Sequence, residues 1–144
     1  MMYFQHFTSK EFFPNCSAEE IAQCINSNMF DNLLTLLHAL DIIRDIVNFP
    51  IIITSTYRDK FHNKRVGGSP TSQHMTGSAI DFMCPSRDFE SFQIHVRDIL
   101  HQEPALNDVV GQCIIYHKRK FIHIGLRTQS FKHLTIYHYE QGKS

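Results

Sequence analysis

His74, Asp81 and His123 are the residues of this chain whose types and settings point to chemistry. His74 follows a turn-rich stretch, Gly67-Gly-Ser-Pro-Thr-Ser-Gln73, and Asp81 lies in Ala79-Ile-Asp-Phe-Met83. A period of two puts Ala79, Asp81 and Met83 on one strand face and Ile80 and Phe82 on the other. His123 is again a polar residue within apolar alternation, Phe121-Ile-His-Ile-Gly125. Burying a carboxylate costs several kcal/mol unless something compensates it, and a metal ion does so. Two imidazoles and one carboxylate form a set suited to zinc, which in catalytic sites takes three N/O protein ligands and leaves a fourth position open. Each residue taken singly has a plainer reading. His74 is then a solvated loop histidine, and Asp81 a strand carboxylate facing water or paired with Arg58. A metal-free domain in which these polar strand residues pair with each other is the corresponding reading of the set.

The elements that must position these residues follow from pattern. Ser17-Ala-Glu-Glu20 is a capping box that opens a short helix. Asp31 opens a longer one. Its apolar residues Leu33, Leu36, Leu37, Leu40, Ile43 and Val47 recur at helical spacing, and Pro50 ends it. Ile51 to Thr56 reads as a buried strand, and Thr56 to Gln73 as one long polar loop. Ser78 to Met83 is a second strand. A third helix carries Phe89, Phe92, Val96, Ile99 and Leu100, capped by Ser86 or Asp88. Three strand-like segments close the chain, VVGQCIIYH, KFIHIGL and HLTIYHY, with HKRK as a hairpin turn and Gln141 to Ser144 expected to fray. Helices first and strands later, with one helix inserted, predict an α+β fold with a mostly antiparallel sheet. The length suits one domain over residues 1–144.

Composition narrows the function. Lys+Arg and Asp+Glu are 14 each, so the balance argues against nucleic acid or an anionic membrane as partner. Cys16, Cys24, Cys84 and Cys113 lack zinc-knuckle or redox spacing and read as free thiols, the last two as core fillers. The start, MMYFQHFTSKEFF, shows no basic region followed by an apolar run, so synthesis in the cytoplasm without a signal peptide is expected.

The chain resembles the zinc D-alanyl-D-alanine carboxypeptidases, the M15 peptidases, in their small single-domain phage and bacterial branch. The resemblance runs over about residues 6 to 126. It is carried by Phe7-Thr-Ser-Lys-Glu-Phe12, the helix from Asn32 to Arg44, Pro50-Ile-Ile-Ile-Thr-Ser-Thr-Tyr-Arg58 and Asn63-Lys-Arg-Val-Gly-Gly68. Its most specific part is Ser72-Gln-His74-Met-Thr-Gly77-Ser-Ala79-Ile-Asp81 with the later Ile122-His123. The resemblance implies a Hedgehog/DD-peptidase-like fold and one zinc held by His74, Asp81 and His123. It implies Arg58 at the substrate, polarising the scissile carbonyl or binding its oxyanion, and Ser72 lining the pocket. It implies bacterial peptidoglycan stem peptide as substrate, cleaved at bonds involving D-alanine. A small cell-wall peptidase without a signal peptide fits a phage or virus lysis product.

The chain departs from the family at the acid–base residue. The family carries a glutamate either three residues before the last histidine or at the end of the preceding strand. Here those positions are Lys120 and Tyr116. Tyr116 suits an acid or oxyanion donor better than a base, its reference pKa being about 10. His117, His138, Asp108 and Glu103 are the other candidates for moving the proton. The expected function is therefore a zinc peptidase of peptidoglycan. The alternative is a catalytically silent zinc-binding module of the same fold that binds cell-wall peptide or a protein partner.

Overall fold

A row of residues crosses the sheet and explains the fold's two faces. Ser55 lies opposite Asp81, Asp81 opposite His123, His123 opposite Ile114, and Ile114 opposite Tyr137. Directly paired residues share a face, so this row is polar on one side of the sheet. The neighbouring rows point the other way and are apolar. Ile53, Phe82, Ile122 and Ile115 form one, and Ile80, Ile124, Cys113 and Ile136 the next. Most of these apolar residues are fully buried under the helices.

The computed structural model describes residues 4–140. Its strands are β1 (Ile52–Ser55), β2 (Ala79–Met83), β3 (Val110–Tyr116), β4 (Phe121–Leu126) and β5 (Thr135–Tyr139). They form one sheet in the order β1-β2-β4-β3-β5. All pairs are antiparallel except β3 with β5, which is parallel. The helices are α1 (Ala18–Ile25), α2 (Met29–Val47), α3 (Lys60–Arg65), α4 (Phe89–Gln102) and α5 (Pro104–Asn107). The architecture is thus α+β, as the element order predicts.

The long helix α2 buries the expected stripe, Leu33, Leu36, Leu37, Leu40, Ile43 and Val47. It starts at Met29 rather than Asp31 and ends in left-handed Asn48, two residues before Pro50. Ser17 and Glu20 form the capping box of α1, and Asp88 caps α4 by accepting from the Ser91 amide. The stretch from Thr56 to Gln73 is not one loop. It contains α3, capped by Asp59, and leads into a 3-10 turn over Gln73–Thr76. Both elements are short and polar, so neither leaves an apolar period to read. The hairpin turn falls at HKRK, with left-handed Lys120 taking the place of the usual glycine. The four cysteines are free thiols, and Cys24, Cys84 and Cys113 are buried.

Gln141 to Ser144, expected to fray, lie outside the described residues. Among the described residues no helix is long and apolar enough to cross a membrane.

Candidate metal centre

Three elements deliver the three predicted ligands. Asp81 and His123 come from adjacent strands and sit directly opposite each other. His74 comes from the 3-10 turn, which Ser72 opens by accepting the His74 amide at 3.2 Å. Left-handed Gly77 closes that turn. A Cβ at Gly77 would stand 2.6 Å from the Met29 carbonyl oxygen, so only glycine lets the turn pass under the start of α2. All three residues are buried, and their ligand atoms lie within 4.8 Å of one another.

The hydrogen bonds define what this cluster wants. His74 Nδ1 is 2.6 Å from the Thr56 carbonyl oxygen, which can only accept, so Nδ1 carries the hydrogen. Burial favours the neutral ring and holds His74 below the usual imidazole pKa, against the pull of Asp81. Its Nε2 then presents a lone pair to Asp81 Oδ1 at 3.1 Å. The same carboxylate oxygen lies 2.9 Å from His123 Nδ1. Burial pushes the Asp81 carboxyl up. The two imidazoles outweigh it and hold the group well below the ordinary carboxylate range. An ionised oxygen facing a bare imidazole nitrogen is a contact of two acceptors, and a cation between them turns repulsion into ligation. Adjacent ligand atoms on a tetrahedral zinc lie roughly 3.3 Å apart, given bonds of about 2.0 Å. The two contacts come close to that edge. His123 Nε2 is buried without a hydrogen-bond partner among the described residues. The donor set therefore fits a divalent ion of zinc type.

Arg58 is fixed beside this cluster. Its Nε donates to Ser55 Oγ at 3.1 Å, its Nη1 to Asn63 Oδ1 at 3.2 Å, and its Nη2 reaches Asp81 Oδ2 at 3.5 Å. Asn63 is held in turn through its Nδ2, which donates to the Ser69 carbonyl at 2.8 Å. Asp59, next to Arg58 in the chain, caps α3 by accepting the His62 amide at 2.8 Å.

Asp81 and His123 each line a cavity. One, of about 470 Å³, is lined by Arg58, Asp81, Ser55, His62, Arg119 and Phe121 among others. The second, of about 360 Å³, is lined by Ser72, Gln73, Tyr116 and His123 among others. Ser72 and Tyr116 line this second cavity together with His123. Tyr116 stacks on Phe121 and Tyr139, and burial, with the Asp81 charge adding to it, pushes its hydroxyl pKa up from an already high value. It is therefore a neutral donor and not a base.

The family's model for Peptidase M15 matches residues 5–125 of the chain. The chain belongs to the peptidase M15 family. It is accordingly a peptidase of the metallopeptidase class. No curated protein sequence matches the chain.

His74, Asp81 and His123 come together here, but the other proposed proton carriers do not join them. His138 stands opposite Ile115, in a row that faces the helices, away from Asp81 and His123. His117 bonds His138 at 2.8 Å and packs edge-on against Phe89 of α4. Glu103 and Asp108 flank α5, beyond the Val110 end of β3, and line neither cavity. Lys120 is in the exposed turn. Sequence reasoning missed Glu20 and His62, which form a buried pair at 2.8 Å next to Arg58. Only Glu20's part in the capping box left a signal in the sequence.

Proposed function

We propose that this M15 protein is a zinc-dependent peptidase that hydrolyses peptide bonds of bacterial peptidoglycan stem peptides, at bonds involving D-alanine. The observation that carries this reading is Asp81 Oδ1, drawn within 3.1 Å of two imidazole nitrogens beside a fixed arginine. Zinc held by His74, Asp81 and His123 would supply Lewis-acid activation of water and of the scissile carbonyl.

The side chains supply the rest. Arg58 is held by Ser55 and Asn63, so its guanidinium is oriented before substrate arrives. It donates to the carbonyl oxygen as charge develops there. Tyr116 adds a neutral hydroxyl donor from the second cavity. Ser72 binds the peptide backbone on that same side. Peptidoglycan lies outside the cytoplasmic membrane, so the reading includes delivery to the wall, as for a phage or virus lysis product.

One observation favours a second reading, a zinc-binding module that holds cell-wall peptide without cleaving it. Asp81 is the one carboxylate lining the two cavities among the described residues.

Incubation of the zinc-loaded protein with defined muropeptides, read by mass spectrometry, separates the two. The peptidase reading expects a zinc-dependent product that names the bond and is absent with His74→Ala. Intact muropeptides with zinc still bound would favour the silent module.

A further inference from the structure

Peptide hydrolysis needs a group that takes a proton from water and returns it to the leaving nitrogen. The two positions that would carry a glutamate hold Tyr116 and Lys120. Of the described residues lining the two cavities, the arginines stay charged and Tyr116 holds its proton. Outside the triad, His62 is the one imidazole among these cavity residues.

His62 is built for that task. It is buried on the first turn of α3 and lines the same cavity as Arg58 and Asp81. Its Nδ1 lies 2.8 Å from Glu20 Oε2. Glu20 is itself fixed, accepting the Asp59 amide at 3.0 Å and the Ser17 amide at 3.0 Å. A carboxylate accepts only, so Nδ1 carries the hydrogen and Nε2 keeps its lone pair. That nitrogen has no hydrogen-bond partner among the described residues, and His62 lines the cavity that Arg58 and Asp81 line. A buried carboxylate that fixes the tautomer of an imidazole is the arrangement of a general base.

We propose that His62 is the general base and acid of this site, and that Glu20 is its positioning residue. The inference rests on the peptidase reading above. Nε2 takes one proton from the attacking water as the water oxygen bonds to the carbonyl carbon. It then returns that proton to the amide nitrogen as the C–N bond breaks, giving one carboxylic acid and one amine. Glu20 keeps its charge and Nδ1 its hydrogen throughout. The charged groups around His62 are Glu20 from α1, Asp59 at the start of α3, Arg58, Arg119 from the β3–β4 turn, and Asp81 from β2.

The test compares zinc-loaded wild type, His62→Gln and Glu20→Gln on the stem peptide, with kcat and KM measured across pH. His62→Gln is expected to lower kcat by roughly 10²- to 10⁴-fold, with KM and zinc content kept. It should also remove the acid limb of the profile, because that limb records protonation of the base. Glu20→Gln should move the limb to lower pH, since the imidazolium loses its carboxylate. Free imidazole should restore part of the rate to His62→Ala. Long-range ¹H–¹⁵N spectra of histidine-labelled wild type should show His62 with hydrogen on Nδ1 and none on Nε2. A wild type that cleaves, with His62→Gln keeping its rate and acid limb, overturns the inference alone. So does hydrogen on Nε2 at neutral pH. A zinc-loaded wild type that cleaves nothing overturns the peptidase reading, and the inference with it.

Discussion

Asp81 Oδ1 lies 2.9 Å from His123 Nδ1, and the two residues are direct partners across β2 and β4. Two ladder-bonded strands therefore set the spacing of two candidate ligands. Removal of Asp81 takes away the one anion of the set. Changes behind a ligand alone cost about 10- to 100-fold in metal affinity, so Asp81→Ala is expected to weaken zinc by more than about 100-fold. A chelator competition titration measures this. Affinity should also fall as pH falls, because zinc displaces protons from its ligands. Asp81 is held far below the ordinary carboxylate range, so the imidazoles and not Asp81 set that loss.

Gly68 guards the arginine. A Cβ there would stand 2.1 Å from Asn63 Oδ1 and 2.9 Å from Arg58 Nη1. Asn63 is short, buried and tied to Ser69, so it cannot swing away freely. Gly68→Ala should cost about 1–3 kcal/mol of stability by overpacking. It should also lower kcat by displacing Arg58, with zinc content unchanged. Thermal unfolding and elemental analysis of the same sample check both halves.

Glu20 ties α1 to α3 electrostatically. Burial alone would raise its pKa. The amides of Asp59 and Ser17 and the His62 imidazole outweigh that, and the net shift is downward. A carboxyl depressed in the folded state stabilises the fold above its unfolded pKa of about 4.3. That contribution is lost as pH falls through the folded value. Urea unfolding of the metal-free protein should therefore lose stability below about pH 4.3. Glu20→Gln should be less stable at neutral pH and show a flatter acid side. Equal slopes in the two proteins would rule out this linkage.

Tyr116 separates a donor from a base. Tyr116 is buried and its hydroxyl is hard to ionise, so Tyr116→Phe should remove one hydrogen bond to the developing charge. A lost donor of that kind costs about 10²-fold in kcat. The shape of the pH profile should stay as in the wild type. A missing acid limb in Tyr116→Phe would instead assign the base to Tyr116.

Much of this centre was legible in the chain because strands advertise misplaced polarity. Asp81 and His123 interrupt apolar alternation, and the register then places both on the polar face. The apolar stripe of α2 was equally plain. Short elements were not. Lys60–Arg65 and Pro104–Asn107 bury too little to leave a periodic trace, so α3 and α5 went unread. The pairing of Glu20 with His62 joins residues 42 apart and depends on how α3 docks. No local pattern records such a contact. His117 and His138 show the reverse failing. Both looked available as residue types, but the register turns His138 to the helix face and His117 packs against Phe89 of α4.

The central claim is that His74, Asp81 and His123 bind one zinc that peptide hydrolysis requires. Its most direct measurement is titration of the chelator-stripped protein with zinc, with cleavage of a stem peptide followed by mass spectrometry at each addition. Activity rising to a plateau at one zinc per chain in the wild type, and absent at every zinc level in Asp81→Ala, is the predicted result. Cleavage that persists without metal, or an Asp81→Ala protein that binds and cleaves as the wild type does, would contradict it.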